Sequence, residues 1–150
     1  MLSRVKVVAQ NRRARYDYEI LETQEAGLVL TGQEVKSCRL GQVNLAGAYV
    51  SFFGDVPHLK NMKISPYKYA GHLPDYDPER DRLLLLKKGE AKKLEIASEE
   101  RGMTIVPLEV RAGRFIKVLL GLGRGRKKLD KRQKIREREV ERRLRRGDIL

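Results

Sequence analysis

The chain has 150 residues, of which 41% are hydrophobic and 35% are charged, and its formal net charge is +13. This length fits one domain with an arm or a tail, and no apolar run approaches the ~18 residues of a membrane-spanning helix. The first residues lack the cleavage pattern of a secretory signal, so we expect a cytoplasmic protein with no membrane partner. Cys38 is the single cysteine, which excludes an internal disulfide and a cysteine-based zinc site.

The excess charge lies at the two ends of the chain. Residues 1–15 carry five basic and no acidic side chains, residues 16–123 carry 15 of each, and residues 124–150 carry 13 basic and five acidic ones. Solubilising tails are the simpler interpretation, but unmatched basic runs repel one another unless phosphates neutralise them. We therefore predict one domain over 1–123, including a basic N-terminal arm, and a basic tail over 124–150, with both ends directed at a polyanion.

The first half of the chain predicts short strands and one capped helix. Alternation of period two over residues 16–21, a break at 25–27 and an apolar run over 28–30 together indicate a hairpin. Thr31 and Glu34 have the spacing of a capping box, in which the hydroxyl and the carboxylate satisfy free backbone N–H groups. A short helix should therefore follow the hairpin.

The remaining predicted elements complete a small β domain. They are strands over 48–53, 59–64, 103–110 and 115–122, a short buried run over 83–86, a loop over 65–81 and a helix over 88–101. About six strands with two or three flanking helices predict a mainly β fold, a small antiparallel barrel of the OB or Greek-key type. From residue 124 onward apolar residues are sparse, so the tail should be disordered, or become helical once phosphates offset its charge.

Groups that would suit an enzyme are few in this sequence. His58 and His72 lack the spacing of a paired metal site. Asp75, Asp77, Glu79 and Asp81 alternate like the ligands of a Ca²⁺ loop, and the first three would suit a metal-dependent nuclease. Prolines interrupt them, however, and the central glycine and terminal Glu of an EF-hand are missing. We therefore expect no enzymatic activity, no metal site and no cofactor.

Two further motifs favour RNA as the partner. Residues 121–125 have the glycines of a phosphate-binding loop without the Lys-Ser/Thr that should follow, so these glycines should let the adjacent arginines approach an RNA backbone. Tyr67, Tyr69 and Tyr76 share a loop with lysines, an arrangement typical of rings that stack on unpaired bases. The alternative is that the three rings plug one end of the barrel.

Ordered segments across nearly the whole chain carry a family resemblance. They are Asn11 to Tyr18, Glu25-Ala26-Gly27, Gly32 to Ser37, Arg39-Leu40-Gly41 through Asn44-Leu45, Ile64 to Tyr67, Asp77-Pro78 with Arg80 and Arg82 before the leucine run, Gly102 to Leu108, Gly125-Arg126-Lys127 and Asp130-Lys131-Arg132. In this order and spacing they resemble the SmpB family of bacterial trans-translation, whose members bind tmRNA (SsrA RNA).

The resemblance implies a function and a set of partners. The barrel would bind the tRNA-like domain of tmRNA and deliver it to a stalled ribosome, while the tail would occupy the vacant mRNA channel near the decoding centre of the small subunit. Alanyl-tRNA synthetase and elongation factor Tu would be indirect partners through tmRNA, and we expect a monomer. A general RNA-binding module, such as a ribosomal or RNA-chaperone barrel with basic extensions, is the main alternative.

The resemblance also assigns candidate site residues. The residues predicted to contact tmRNA are Asn11, Arg12, Arg13, Arg15, Glu25, Lys36, Leu85, Arg124, Arg126, Lys127 and Lys128. Those predicted to contact the ribosome near its decoding centre are Asp130, Lys131, Arg132, Lys134, Arg136 and Arg138. The chain departs from the family at Tyr16, where His is usual, and at Leu83, where a basic residue is common, so we assign no RNA contact to Leu83.

Overall fold

The computed structural model describes residues 5–71, 74–126 and 136–142. Its strands are β1 (Lys6–Gln10), β2 (Tyr18–Leu28), β3 (Val43–Asn44), β4 (Tyr49–Phe53), β5 (Val56–Lys60), β6 (Lys63–Ile64), β7 (Arg82–Leu85), β8 (Met103–Ala112) and β9 (Ile116–Gly125). Its helices are α1 (Arg12–Asp17), α2 (Gly32–Arg39) and α3 (Lys88–Ser98), and residues 136–142 are also helical.

Seven of the strands form one antiparallel sheet in the order β1-β8-β9-β2-β7-β5-β4, and β3 pairs with β6 beside it. The sheet curls until β4 lies against β8, which brings its two ends together as in a barrel. The predicted OB-like, mainly β fold is therefore confirmed. The described residues contain nine strands rather than about six. The strands β1, β3 and β7 were not predicted, and the predicted strand over 59–64 is divided into β5 and β6, whereas the two strands of the predicted hairpin are one, β2.

The core consists of the inward residues of these strands and of the two helices that close the barrel. Cys38 of α2 is fully buried, and Leu94 of α3 is 5% exposed. The predicted capping box is confirmed: the Glu34 backbone N–H donates to the Thr31 hydroxyl over 3.3 Å, and the Thr31 backbone N–H donates to the Glu34 carboxylate over 2.9 Å. Gly41 then ends this region with φ at +76°, a conformation that glycine adopts without strain.

The hairpin predicted over residues 16–30 is wrong. Residues 16–17 belong to α1, and β2 runs without a break from Tyr18 to Leu28. Gly27, which suggested the turn, is paired with Leu85 on one side and with Lys117 on the other. Since neighbouring strands satisfy its backbone on both sides, the small residues at 25–27 continue the strand rather than end it.

Three predicted boundaries also need correction. Residues 6–15 are not a free arm, because β1 pairs with β8 and α1 packs on the barrel. The predicted strand over 59–64 is divided by Asn61, whose φ of +64° interrupts extended backbone. Strand β9 continues past Leu122 to Gly125, so Arg124 and Gly125 lie in the sheet and not in the tail.

A buried ionic network anchors the loop between β6 and β7. The Glu34 and Arg82 side chains are both 0% exposed, and Arg82 Nη2 donates to Glu34 Oε2 over 2.7 Å. Arg80 also donates to this carboxylate, through Nε over 3.1 Å and through Nη2. Tyr76 donates through its hydroxyl to the Ile64 carbonyl over 2.7 Å and accepts from Arg82 over 3.3 Å. The network therefore ties both ends of the loop to α2.

Burial alone would raise the pKa of Glu34, but hydrogen bonds from Arg80, from the Thr31 backbone and from Arg82 lower it to about 2. The carboxylate is therefore ionised at neutral pH although solvent does not reach it. The same burial, with the Glu34 charge nearby, raises the pKa of the Cys38 thiol to about 12. Cys38 is thus a packing residue and not a reactive one.

Candidate RNA interface

One exposed face of the barrel is built from a row of residues paired across five strands. Val7 of β1 pairs with Arg111 of β8, Arg111 with Lys117 of β9, Lys117 with Gly27 of β2, and Gly27 with Leu85 of β7. Directly paired residues project on the same side of a sheet. We call this row, together with Glu25 in the neighbouring row, the barrel face.

The barrel face combines an apolar half with an ionic half. Leu85 is 57% exposed beside Gly27, which leaves its side chain uncovered. Glu25 accepts from Lys117 Nζ over 3.2 Å and from Arg111 Nη1 over 3.1 Å. The hydrogen bond from Lys117 leads the effects that lower the pKa of Glu25, although partial burial opposes them. Glu25 is therefore an anion that holds two cations in fixed positions on the surface.

Two of the predicted tmRNA contacts, Glu25 and Leu85, thus come together on the barrel face. Sequence reasoning missed Arg111 and Lys117 of the same face, because what distinguishes them is their register across from Gly27 and their reach to Glu25. The only signal in the sequence was two basic residues on opposite sides of the predicted turn after β8. Their register could have been inferred by pairing the two predicted strands across that turn.

A second candidate surface lies where α1 meets the end of β9. Arg12, Arg15 and Arg124 are exposed, and the Arg126 backbone N–H donates to the Asp17 carbonyl over 2.9 Å. Arg13 is engaged on the helix itself, since its Nε donates to Asp17 over 3.1 Å and its guanidinium lies 4.9 Å from the centroid of the Tyr16 ring. The basic residues predicted before and after the barrel in the sequence therefore lie on neighbouring parts of the structure, α1 and the end of β9. We call this surface the α1 pole, comprising residues 12–17 and 124–126.

Asn11 is buried at the start of α1, although the resemblance assigns it to RNA. Its Oδ1 accepts from the Ala14 backbone N–H over 3.1 Å as an N-cap, and its Nδ2 donates to the carbonyls of Leu45 over 3.2 Å and Pro107 over 2.9 Å. The side chain is 6% exposed, so its amide is committed to the protein. We therefore treat Asn11 as the residue that positions the arginines of α1.

The glycines of β9 do not form the RNA-approach loop that the sequence predicts. A Cβ on Gly121 would lie 2.8 Å from the Leu108 side chain, and a Cβ on Gly123 would lie 2.8 Å from that of Tyr18. Both glycines are buried in the sheet beneath a small apolar cluster that contains Ala14 of α1. They are glycines because this cluster leaves no room for a side chain.

The predicted residues of the loop divide between two roles. Tyr76 belongs to the buried network through its hydroxyl and is half-buried, which favours the plug interpretation for this ring. Tyr67 and Tyr69 instead form an edge-to-face pair at the surface, with the ammonium groups of Lys36 and Lys68 over their rings. We call these four residues the tyrosine cluster. Lys36, predicted as a tmRNA contact, therefore lies with the loop rather than on the barrel face.

Comparisons with known proteins identify the family. The family model described as SmpB protein matches residues 8–148. The SsrA-binding protein of Coprothermobacter proteolyticus is 49% identical over 144 residues, covering 95% of this chain and 96% of that protein. The SsrA-binding protein of Lactobacillus helveticus is 48% identical over 141 residues, covering 93% of this chain and 92% of that protein. The chain belongs to the SmpB family.

A solved SmpB structure agrees with this assignment. A chain of "tmRNA-SmpB: a journey to the center of the bacterial ribosome" is 47% identical, with a TM-score of 0.68, and the match covers 81% of this chain and 85% of that chain. At this identity the likeness extends beyond the fold. SmpB membership also agrees with the order and spacing of the motifs in the sequence.

Part of the predicted SmpB site falls outside the described residues. These positions are Lys127, Lys128, Asp130, Lys131, Arg132 and Lys134. Arg136 and Arg138 are described and are exposed on the helical segment 136–142. His72 is likewise outside the described ranges, whereas His58 lies in β5 opposite Ser51 and Leu83.

Neither a cluster of metal-binding groups nor a membrane-spanning helix occurs in the described residues. Within 5–71, 74–126 and 136–142, no three His, Cys, Asp or Glu residues lie close enough together to hold a metal ion. Asp77, one of the alternating carboxylates, accepts from the Glu79 backbone N–H over 2.9 Å and so stabilises a turn. Over the same ranges no helix has the length and apolar character needed to cross a bilayer.

Proposed function

We propose that this SmpB family member binds tmRNA through the barrel face and the α1 pole and brings it to stalled ribosomes for rescue. The observation that carries the proposal is the barrel face, where an uncovered Leu85 lies beside the Glu25-Arg111-Lys117 ion cluster. Support also comes from relatives at 48–49% identity that are SsrA-binding proteins and from a structural neighbour that is a tmRNA-SmpB complex on the ribosome.

The chemistry of the barrel face suits a folded RNA. The deep, narrow major groove of A-form RNA excludes side chains, so proteins recognise such RNA by shape, by 2′-hydroxyls and by phosphates. Arg111 and Lys117 supply cations for phosphates, and Glu25 supplies an acceptor for hydroxyl or amino groups as well as holding both cations in place. Leu85 supplies an apolar contact for a sugar or an unstacked base. A rigid sheet presents all four, so little ordering entropy is lost on binding.

We propose that the protein acts by binding and not by catalysis. It would work in the cytoplasm as a monomer, with alanyl-tRNA synthetase and elongation factor Tu reached only through the bound tmRNA. Sedimentation of the free protein as a dimer would contradict the monomer, and Mg²⁺-dependent cleavage of RNA would contradict the absence of catalysis.

We also propose that the basic segment from residue 127 onward enters the vacant mRNA channel near the decoding centre. The order Asp130-Lys131-Arg132 matches the family motif, and the described residues 136–142 are helical and exposed, with Arg136 and Arg138 free to face a phosphate surface. Channel occupancy by intact mRNA would exclude the segment sterically, so rescue would be restricted to truncated messages.

The barrel-face contact is tested with a pair of matched substitutions. Leu85→Glu places a carboxylate on the barrel face, and Ile96→Glu does the same on α3 at a nearly equal exposure of 58%. Fluorescence anisotropy with the labelled tRNA-like domain of tmRNA should show at least about tenfold weaker binding for Leu85→Glu, since a like charge replaces an apolar contact beside phosphates. Ile96→Glu should bind like the wild type. Equal affinities of the two variants would overturn the assignment of this face.

Two further experiments test the role of the tail and the alternative that the protein is a general RNA-binding module. A chain that ends at Arg126 should retain most of its tmRNA affinity and lose tagging of stalled chains in a reconstituted translation system. Loss of both together would contradict the division between barrel and tail. Ordinary tRNA serves as the competitor, because a general RNA-binding module would bind it as tightly as the tRNA-like domain.

A further inference from the structure

The tyrosine cluster displays aromatic surface that the barrel does not bury. Tyr69 is 72% exposed and Tyr67 is half-buried, with ring centroids 5.4 Å apart at an interplanar angle of 72°. Lys68 Nζ lies 4.9 Å from the Tyr69 centroid, and Lys36 Nζ lies 5.5 Å from the Tyr67 centroid. From this geometry we infer that the tyrosine cluster is a binding site for unpaired RNA bases, separate from the barrel face.

The backbone around the rings is fixed by hydrogen bonds that do not involve the rings. Ser65 N donates to the Gln42 carbonyl over 3.0 Å, and Tyr67 N donates to Gln33 Oε1 over 3.2 Å. Ala70 N then donates to the Tyr67 carbonyl over 3.0 Å and closes a turn. The exposed rings are therefore a product of an ordered turn, and binding would require little further ordering.

The charge around the rings matches a nucleic acid backbone. Lys36 and Lys68 lie over the two rings, and residues 63–71, which also include Lys63, contain no acidic residue, since the acidic residues of the loop begin at Asp75. Sites for single strands combine aromatic faces, on which bases stack, with cations that follow the phosphates. An apolar protein partner would gain nothing from these ammonium groups, so RNA is favoured over such a partner.

The tyrosine cluster belongs to different elements from the barrel face. Its residues lie on α2 and on the loop after β6, whereas Glu25 bonds to residues of β8 and β9. The inference goes beyond the proposed function, because it requires only an unpaired RNA segment and not a particular RNA. A protein that fails to prefer tmRNA could still bind single strands here, and the reverse also holds.

The test uses the full chain and a labelled oligouridine. Tyr69→Ala should weaken its binding about tenfold, the loss of one stacked base, while Tyr69→Phe should keep the wild-type affinity because the ring remains. Phe53→Ala removes an 84% exposed ring from the β4–β5 hairpin and serves as the matched control, with no change expected. Leu85→Glu should also bind the oligouridine normally, which distinguishes this site from the barrel face. Equal affinity of Tyr69→Ala and the wild type would overturn the inference.

A second measurement distinguishes binding at the tyrosine cluster from binding at the basic tail, which attracts any polyanion. Oligouridine that contains 4-thiouridine should cross-link on irradiation to residues within 63–71, as mapped by mass spectrometry of the digested protein. Cross-links confined to the region after residue 126 would contradict the site. Binding of an oligoglutamate peptide that Tyr69→Ala abolishes, without any effect of this variant on oligouridine, would identify an acidic peptide as the ligand instead.

Discussion

Replacing Glu34 by Gln keeps the size of the side chain and removes the charge at the centre of the buried network. Arg82, with a side chain 0% exposed, would keep its charge without the carboxylate that accepts its Nη2 over 2.7 Å and its Nε over 3.1 Å. Removing one partner of such a pair costs about 3–5 kcal/mol, because the remaining charge stays buried and unpaired. For a domain of this size, that loss lowers the melting temperature by roughly 10–20 °C.

The pKa of Glu34 gives a second measure of how much its charge stabilises the fold. Its value falls from 4.5 to about 2 on folding, so the ionised carboxylate favours the folded state above pH 4.5. A shift of that size corresponds to roughly 3 kcal/mol, which is lost as the pH falls from 4.5 towards 2. Glu34→Gln should therefore also flatten the acid dependence of stability in this range.

Urea unfolding followed by circular dichroism measures both effects, at neutral pH and at several acidic values. Glu100→Gln changes an exposed glutamate and is the matched control, with an expected change within about 0.5 kcal/mol. If Glu34→Gln is as stable as this control, or keeps the wild-type slope of stability against pH below 4.5, the buried charge of Glu34 does not stabilise the fold.

Three other substitutions and one chemical treatment check separate parts of the structure. Gly123→Ala forces a Cβ to within 2.8 Å of the Tyr18 side chain, so its urea midpoint should reveal a loss of about 1–3 kcal/mol; Gly89→Ala, where no atom lies within 4 Å, should instead stabilise by about 0.4–1 kcal/mol. Asn11→Ala removes the cap of α1 and two bonds to buried carbonyls, so it should destabilise by roughly 2–4 kcal/mol in the same assay and, because α1 loses its fixed start, also weaken the binding of tmRNA. Cys38, with its pKa raised to about 12, should resist iodoacetamide at mildly alkaline pH and react only in urea, as mass spectrometry would show.

Local patterns predicted the local features of this fold. The Thr31-Glu34 capping box and the strand over 103–110 were correct because their signals, a cap spacing and an apolar run next to a turn, lie within a few residues. The continuity of β2 through Gly27 was not predictable in this way, since partners more than 50 residues away hold it extended. A glycine after two small or polar residues looks the same in a turn and in a strand paired on both sides.

Like the fold, the candidate site could be predicted from the sequence only in part. Motif matching found Glu25 and Leu85, and the barrel brings them to one face as the resemblance implied. It did not find Lys117, because the partner of Glu25 is set by cross-strand register and not by spacing along the chain. For the same reason Glu34 was recognised only as a capping residue, although its stronger interactions are with arginines 46 and 48 residues further on.

The hydrogen bond from the Arg126 backbone N–H to the Asp17 carbonyl fixes where the chain leaves the barrel. Because it leaves beside α1, the arginines of that helix lie at the same end of the domain as the start of segment 127–150, which has 11 basic and five acidic residues. The exposed arginines of α1 and Arg124 give this end of the domain a positive charge, which orients the molecule in the field of a large polyanion before contact. Association should therefore be fast and oriented at low ionic strength. Added salt should lower the association rate strongly, but it should change the dissociation rate little where the contact is made by the apolar part of the barrel face.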